Sequence, residues 1–508
     1  MSLCLIRQNY RFIINIKIHK KMNISELEPR SVFGFFHQIT QIPRPSKKEE
    51  KIRAFLVNFA KERNLDYKED KAGNIVIRKA ATPGFENRET VILQSHMDMV
   101  CEKNNDTVHN FDTDPIRTIV DGEWLTADGT TLGADNGIGV ATELAVLADD
   151  SIEHGPIECL FTVDEETGLT GAMNLEPGFV DGRILLNLDS EDEGEMFIGC
   201  AGGMGTMATF SYTPEAAPAN YFYLKVTVSG LKGGHSGGDI HVGLGNANKL
   251  VTRYIYKVMK EIPEMKLVSI AGGNLHNAIP REATAVIGIP MARKEDARIW
   301  LNQLDADVRN ELKKVDPKVA FSLESVETPA TCIDADTTRR LILALYSCPH
   351  GVMGMSHSLE GLVETSTNLA SIKMLEGNKI YVETSQRSST ESLKEDVGNT
   401  VTAVFLQAGA EVSERDGYPG WAPNPDSPIL KVAVDTYRNL FGKEPAVKAI
   451  HAGLECGLFL SKYPYLDMVS FGPTMRDVHS PDERMEIKTV GMFWNHLLEI
   501  LKNIPNRK

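Results

Sequence analysis

Short apolar runs alternate along the chain with segments of helical spacing, a pattern typical of a sheet covered by helices. Runs rich in β-branched residues predict strands at 74–79, 90–96, 157–163 and 183–189. Amphipathic spacing predicts a helix at 46–64, with Ser46 as its N-terminal cap, and a second helix at 137–150. We therefore predict an α/β fold with a mostly parallel, helix-covered sheet.

The pattern changes after the glycine-rich stretch near residue 199, where new strands and a helix near 246–263 begin. A Pro/Gly-rich segment at 417–428 then precedes a further helix. We interpret the middle of the chain as an α/β domain inserted into the sheet domain, and we call it the lid domain. We predict a first catalytic segment at 22–204, the lid domain at 205–410 and a second catalytic segment at 411–508. Met22 is the predicted start, so we expect the N-terminal extension at 1–21 to be disordered or not native.

Acidic and imidazole side chains follow the predicted strands of the first segment. His96, the pair Glu165 and Glu166, and Asp189 each come at or just past a strand end, and Asp135 precedes a helix. Open α/β sheets bind their ligands at the carboxyl edge of the strands. Two kinds of donor, imidazole and carboxylate, also suit zinc, cobalt or manganese. The pattern therefore indicates a metal site at this edge.

Each of these motifs also has an ordinary structural explanation when it is taken alone. Asp98 lies on the same side of its strand as His96 and could orient that imidazole, but a surface His-x-Asp is an equal alternative. Asp135 fits a helix N-cap, and Glu165 with Glu166 fits an acidic helix start. The joint placement of the motifs at strand ends is what favours metal chemistry, in which one glutamate ligates and the other accepts a proton from water.

Composition narrows the partners rather than the chemistry. The formal net charge is −15, which argues against nucleic acid and anionic membranes as partners. The seven cysteines are scattered without a Cys-x-x-Cys pair, so we predict reduced thiols and a cytoplasmic protein. Neither a signal-peptide layout nor an apolar run long enough to cross a bilayer is found in the sequence.

Five motifs together carry a family resemblance: SHMDMV, TTLGADNGIG, DEETGLTGA, NLDSEDEGE and HSPDER. They resemble the di-zinc metallopeptidase superfamily of aminoacylases, carboxypeptidase G and carnosinases. Within it, GGHSGG, NLHNAIPREA, ETSQRSS and HAGLECG are similar to the bacterial aminoacyl-histidine dipeptidases (peptidase D). The resemblance runs from about Met22 to near the end of the chain.

The resemblance implies two Zn²⁺ ions per chain, with Co²⁺ or Mn²⁺ as substitutes, and a role for each matching residue. His96 and Asp189 would hold one ion, Glu166 and His479 the other, and Asp135 would bridge them, with a cis peptide bond between Asp135 and Asn136. Glu165 would be the general base and Asp98 would support His96. In the lid domain, His235 would stabilise the oxyanion, while Asn277 and Arg387 would bind the substrate. Glu455 is our candidate for reading a histidine side chain.

We therefore predict a metal-dependent dipeptidase that hydrolyses aminoacyl-histidine dipeptides such as β-alanyl-histidine by attack of a water that bridges the metals. The predicted partner is a short peptide. The sequence does not decide whether the chain forms a homodimer. A broad di- or tripeptidase and an N-acyl amino acid hydrolase remain alternatives. A catalytically inactive peptide-binding scaffold is the alternative from another class.

Overall fold

The computed structural model describes residues 24–507 of the chain, so the predicted extension at 1–21 lies outside the described residues. The α-helices are α1 (Arg30–Thr40), α2 (Glu50–Glu62), α3 (Ala134–Ala148), α4 (Thr170–Asn174), α5 (Ala247–Glu261), α6 (Lys294–Glu311), α7 (Ala335–Ser347), α8 (Glu391–Gln407), α9 (Pro428–Phe441), α10 (Glu455–Lys462) and α11 (Ile487–Lys502). Among residues 24–507, none of the helices has the length and apolarity needed to cross a membrane.

The strands, in chain order, are β1 (Asp66–Glu69), β2 (Ile75–Lys79), β3 (Val91–His96), β4 (Thr118–Asp121), β5 (Trp124–Ala127), β6 (Ile157–Thr162), β7 (Ile184–Asn187), β8 (Glu195–Cys200), β9 (Gly202–Ser211), β10 (Pro214–Ala216), β11 (Tyr221–Ser229), β12 (Gly234–His235), β13 (Lys266–Gly272), β14 (Ala278–Ile279), β15 (Ala283–Pro290), β16 (Ala320–Val326), β17 (Thr331–Ile333), β18 (Gly351–Met355), β19 (Val363–Leu375), β20 (Lys379–Ser388), β21 (Glu411–Tyr418), β22 (Ala446–Ile450), β23 (Asp467–Ser470), β24 (Met475–Arg476) and β25 (Arg484–Glu486).

The first sheet has eight strands in the order β1-β2-β6-β3-β7-β23-β8-β22. Its centre is parallel: β3 runs parallel to both β6 and β7, and β7 runs parallel to β23. Every residue of β3 and β6 is buried, as expected for strands covered by helices on both faces. Antiparallel pairing is found at the β1–β2–β6 edge and between β23 and β8, which makes the sheet mixed.

The second large sheet has its own hydrophobic core. Its strand order is β16-β11-β15-β13-β19-β20-β9-β21, with β18 beside β19, and neighbours along this order are antiparallel. The chain enters this sheet at β9 and leaves it after β21, and β22 and β23 then return to the first sheet. The strands of this large sheet therefore run from Gly202 to Tyr418, and the limits 205–410 of the lid domain remain a prediction.

The predicted α/β fold class is confirmed, but the cap at Ser46 was wrong. Helix α2 begins at Glu50 and its N-cap residue is Glu49, which offers no side-chain cap. Ser46 instead makes a side-chain hydrogen bond to Asp98. The serine is thus used by the strand end that carries His96, a long-range contact that local helix signals do not reveal.

Candidate metal centre and substrate pocket

The parallel register of the first sheet brings three strand ends to one edge. His96 is the last residue of β3, and it pairs with Thr162, the last residue of β6. The loop that follows β6 carries Glu165 and Glu166. Asp189 follows β7, which lies on the other side of β3. These side chains meet because parallel neighbours end on the same side of a sheet.

Asp135 and His479 reach the same edge by another route. Asp135 lies in the first turn of α3, directly after the segment that follows β5. His479 lies in the loop between β24 and β25, and β25 pairs with β5. A small four-stranded sheet, ordered β24-β25-β5-β4, therefore carries the distal histidine back to the turn of Asp135.

Asp135 stands between the two histidines. Its Oδ1 is 3.0 Å from His96 Nε2 and its Oδ2 is 3.1 Å from His479 Nε2. The outer carboxylates complete two groups: Asp189 Oδ1 is 3.4 Å from His96 Nε2, and Glu166 Oε2 is 3.0 Å from His479 Nε2. Within each group the three donor atoms lie within 4.8 Å of one another. The site thus contains two three-ligand groups that share Asp135.

This donor set fits two divalent cations. Carboxylates packed this closely repel one another unless positive charge is present between them, and imidazole with carboxylate oxygen is a ligand combination typical of zinc, cobalt or manganese. Glu166 Oε1 is also buried without a hydrogen-bond partner among the described residues. Hydrogen bonds to Asp135 and Glu166 raise the pKa of His479 to about 11, which reflects the negative charge gathered around this imidazole.

Asp98 supports the ligands from behind. It accepts a hydrogen bond from His96 Nδ1 at 3.2 Å, and it accepts the backbone N–H groups of Glu165 at 3.1 Å and Glu166 at 3.3 Å. Burial alone would raise the pKa of Asp98, but the bonds from His96 and Ser46 lower it. The carboxylate therefore fixes the imidazole with Nε2 towards the cluster and ties the two-glutamate loop to the same strand end.

Glu165 has the environment of a proton acceptor. Burial raises the pKa of its carboxyl well above the ordinary value, and the nearby carboxylates of Asp189, Glu455 and Glu166 add to this effect against the opposing charge of His96. A carboxylate whose pKa is raised is a stronger base than an ordinary glutamate, which suits the acceptance of a proton from water.

The turn of Asp135 differs from an ordinary helix start. The Asp135–Asn136 peptide bond is cis, as expected from the resemblance. Asp135 and Asn136 have non-helical backbone angles within α3, φ −80° with ψ 112° and φ −105° with ψ 34°, so the chain kinks where Asp135 lies. Asn136 donates through Nδ2 to the Leu188 carbonyl at 3.0 Å and to Asp189 Oδ1, which links this turn to the end of β7.

His235 and Asn277 are neighbours in the lid domain. The two-residue ladder of β12 and β14 pairs His235 with Ala278, and the Asn277 carbonyl accepts the N–H of Ser236 at 2.8 Å. His235 Nδ1 accepts the N–H of Gly238 at 3.0 Å, so Nε2 carries the hydrogen of the neutral ring. Burial and the Arg387 guanidinium lower the pKa of His235, which favours this neutral, Nε2-donating form.

Arg387 lies close to His235 and has an unused donor. Its Nη1 donates to the Tyr418 hydroxyl at 2.8 Å, whereas its Nε is buried without a partner among the described residues. The Ser236 hydroxyl is likewise buried and unpartnered in the part of the chain that the structure describes. A methyl group placed on Gly237 would stand 3.1 Å from the His235 ring and 3.3 Å from Arg387 Cδ, so these side chains converge on one glycine.

His451 completes this region, which we call the donor pocket (His235, Ser236, Arg387 and His451). The same methyl group on Gly237 would stand 2.2 Å from the His451 carbonyl oxygen. The His451 Nε2 is 2.7 Å from Ser366 Oγ, and burial and the Arg387 charge lower the pKa of His451 to about 3, against the opposing Val363 carbonyl. Sequence reasoning missed Ser236 and His451; their glycine-rich motifs were the available signal.

Glu455 is the first residue of α10, four residues after His451. Its Oε2 accepts Gln94 Nε2 at 2.6 Å and Thr162 Oγ1 at 3.0 Å, on the two strands that carry His96 and the glutamate loop. Burial, with a contribution from Asp189, raises its pKa to about 8. Beside the cluster, burial and the charges of Asp135 and Asp189 raise the pKa of the Glu191 carboxyl to about 8.

The fold and the cluster define a class before any comparison is made: a candidate metal site, built from imidazole and carboxylate donors, at the carboxyl edge of the strands of an α/β sheet. The chain belongs to peptidase family M20/M25/M40, whose family model matches residues 92–503. It is therefore a metal-dependent peptidase, and the expected family and enzyme class are confirmed.

Relatives match over nearly the whole chain. The cytosol non-specific dipeptidase of Escherichia coli (strain K12) is 44% identical over 482 residues, covering 95% of this chain and 99% of the relative. The crystal structure of the aminoacylhistidine dipeptidase from Vibrio alginolyticus is 46% identical with a TM-score of 0.90, covering 96% of this chain and 99% of that one. A tripeptidase structure from Staphylococcus aureus, 19% identical with a TM-score of 0.58, covers 94% of this chain and 99% of its own and shares the fold.

Proposed function

We propose that this protein is a dipeptidase that hydrolyses short unblocked peptides, aminoacyl-histidine dipeptides such as β-alanyl-histidine among them. The observation that carries the proposal is the pair of three-ligand groups sharing Asp135, with the raised-pKa carboxyl of Glu165 beside them. The names of the two similar proteins, a non-specific dipeptidase and an aminoacylhistidine dipeptidase, both support dipeptides as the substrate class.

Two Zn²⁺ ions per chain are the proposed cofactors, with Co²⁺ or Mn²⁺ as substitutes. His96 and Asp189 would hold one ion, Glu166 and His479 the other, and Asp135 both, in agreement with the distances among these side chains. When bound, the ions would polarise the scissile carbonyl and make water more acidic.

The protein's own residues move the protons. Glu165 takes a proton from the attacking water and later delivers it to the leaving amine, and its raised pKa favours the uptake of that proton. Asp98 holds the His96 ring and the Glu165 backbone in place. His235, whose Nδ1 already accepts a backbone N–H, offers its Nε2–H to the oxyanion that develops on the substrate.

The donor pocket would bind the free carboxylate of the substrate. Arg387 Nε and the Ser236 hydroxyl are buried donors without partners in residues 24–507, and buried polar atoms without partners are rare unless a ligand completes them. Arginine suits a carboxylate particularly well. Asn277, next to His235, is proposed to hold the substrate backbone.

Other parts of the proposal concern organisation and location. We propose catalytic segments at 22–204 and 411–508 with the lid domain at 205–410, which agrees with the excursion of the chain through the second sheet. A cytoplasmic location is proposed from the cytosolic relative and from the absence of disulfides among the described cysteines. The net charge of −15 supports neither nucleic acid nor membrane as a partner, and a homodimer would be tested by sedimentation.

A substrate panel separates the candidates. The purified protein would be assayed with β-alanyl-histidine, two dipeptides without histidine, a tripeptide, and an N-acetyl amino acid. Hydrolysis of the dipeptides alone supports the proposal, and a higher kcat/KM for the histidine dipeptide supports histidine specificity. Equal rates on all dipeptides and the tripeptide indicate a broad peptidase, cleavage of the N-acetyl compound an acyl hydrolase, and binding without any turnover an inactive scaffold.

A further inference from the structure

Glu483, four residues after His479, binds the backbone N–H groups of the turn that carries Asp135. Its Oε2 accepts the backbone N–H groups of Leu132 at 2.7 Å and Gly133 at 3.0 Å. Its Oε1 accepts those of Ala134 at 2.8 Å and Asp135 at 3.4 Å. The side chain is 2% exposed, so one buried carboxylate satisfies four consecutive N–H groups at the start of α3.

Arg44, which precedes α2, holds the same turn by its carbonyl side. Its guanidinium is 2% exposed and donates through Nη2 to the Gly133 carbonyl. Through Nη1 it donates to the carbonyls of Met97, at 3.1 Å, and Asp98. Arg44 therefore ties the Asp135 turn to the strand end that carries His96 and Asp98.

The glycines of the turn leave the space that this guanidinium needs. A methyl group placed on either Gly133 or Gly137 would stand 2.6 Å from Arg44 Nη2. Gly133 also has a φ of 68°, which favours glycine on its own account. Gly133 and Gly137 therefore leave room for the buried Arg44 guanidinium beside the turn that carries Asp135.

A buried charge of this kind is an expensive way to stabilise a fold. All hydrogen bonds of Arg44 go to backbone carbonyls, and the nearest acidic groups, Asp98, Glu483 and Asp135, act on it through their charge only. Burying an ion costs several kcal/mol of solvation, and apolar residues often stabilise a core as well. Its placement between two ligand-bearing loops indicates a role in the geometry of the site.

We propose that Arg44 and Glu483 are positioning residues that fix the turn of Asp135 against His96 and His479, and so set the affinity of the protein for its metal pair. Neither residue belongs to the proposed ligand set. Asp135 faces both histidines, at 3.0 and 3.1 Å, while Glu483 binds the N–H groups of its turn and Arg44 binds the Gly133 carbonyl. The inference rests on the proposed metal site but not on the proposed substrate.

The test measures zinc binding rather than turnover. Metal-free wild-type, Arg44→Met, Glu483→Gln and the double variant would be titrated with Zn²⁺ in competition with a chromophoric chelator. We expect each single variant to raise the Kd about 10- to 100-fold, the range for residues that orient metal ligands. The double variant is expected to show less than the product of the two effects, because both act on one turn.

Arg78→Met is the matched control. Arg78 is also a largely buried arginine, bonded to Glu158 at 2.8 Å and to the Phe179 carbonyl at 2.9 Å, but it holds no segment of the metal site. This variant should lower the urea midpoint and leave the Zn²⁺ Kd within about twofold of wild type. Should Arg44→Met not fold, Arg44→Lys keeps the charge and still cannot span carbonyls of two loops, so the same rise in Kd is expected.

The outcomes are distinct. If wild type binds two equivalents of Zn²⁺ and the folded Arg44 and Glu483 variants keep its Kd within twofold, the positioning role is wrong while the metal site stands. A rise with Arg78→Met as large as theirs would also overturn it, because the effect would then be one of general stability. If wild type binds no Zn²⁺, the metal site itself fails and this inference fails with it.

Discussion

Replacing Asp98 by Asn should weaken metal binding and catalysis together, without a matching change in KM. Asp98 Oδ1 receives His96 Nδ1 at 3.2 Å and the Glu165 N–H at 3.1 Å, and Oδ2 receives the Glu166 N–H at 3.3 Å. Asparagine keeps one acceptor oxygen and turns the other into an NH₂ group, which would face an N–H donor. The substitution therefore removes at least one hydrogen bond to a charged acceptor and the charge that orients His96.

The expected size follows from these contacts. A hydrogen bond to a charged group contributes about 1.5–3 kcal/mol, and about 1.4 kcal/mol corresponds to a factor of ten in an equilibrium constant. We therefore expect the Zn²⁺ Kd to rise about 10- to 100-fold. At saturating zinc kcat should still fall, because the backbone of Glu165 loses its anchor, while KM should change less than about threefold since Asp98 does not contact the proposed substrate pocket.

Asp316→Asn is the control for this substitution. Asp316 is fully buried and accepts the N–H groups of Lys232 and Gly245, both at 2.7 Å, in the second sheet's domain. It should lose stability and keep its zinc affinity. Competition titration gives the Kd and steady-state kinetics give kcat and KM. A zinc Kd and a kcat within twofold of wild type for Asp98→Asn would show that Asp98 orients neither His96 nor the backbone of Glu165.

Three further predictions follow from single side chains. Glu165→Gln should lower kcat by about 10²- to 10⁴-fold with both metals still bound, as measured by metal analysis; near wild-type turnover would remove its role as base. Arg387→Met should raise the KM of dipeptides and abolish the preference for a free carboxylate over a C-terminal amide. An unchanged preference would show that the donor pocket does not bind the substrate carboxylate. Burial raises the pKa of Glu143 well above its ordinary value, so its contribution to stability is present below the unfolded pKa of about 4.3 and is lost as pH rises towards the folded value. Glu143→Gln should therefore gain stability relative to wild type as pH rises above about 4.3 in urea unfolding, and a pH profile parallel to that of wild type would contradict this.

The strand-end residues were accessible from sequence because their information is local. An apolar run followed at once by His96, Glu165 or Asp189 predicts both the strand and the edge to which the side chain goes. The α/β class and the second sheet followed from the same patterning, and the family resemblance added the pairing of Asp135 with both histidines.

The residues that were missed act over long sequence distances. Arg44 and Glu483 both bind the turn at Gly133, although they lie 89 and 350 residues away from it in the sequence. Neither hydrophobic periodicity nor a helix-cap signal predicts contacts over such distances. Ser236 and His451 converge only because the lid strands β12 and β14 approach the loop after β22. Ser46 was misassigned for the same reason, since its partner Asp98 lies across the fold rather than in its own helix.

Metal reconstitution shows whether the protein needs two metal ions to hydrolyse dipeptides. Metal-free protein would receive Zn²⁺, Co²⁺ or Mn²⁺ in increasing equivalents while β-alanyl-histidine and a second dipeptide are hydrolysed and bound metal is counted. We expect no turnover without metal, a rise that ends at two equivalents per chain, and the same two-equivalent binding without turnover in Glu165→Gln. Full activity of the metal-free protein, or two bound ions without hydrolysis of any dipeptide by wild type, would contradict the proposed function.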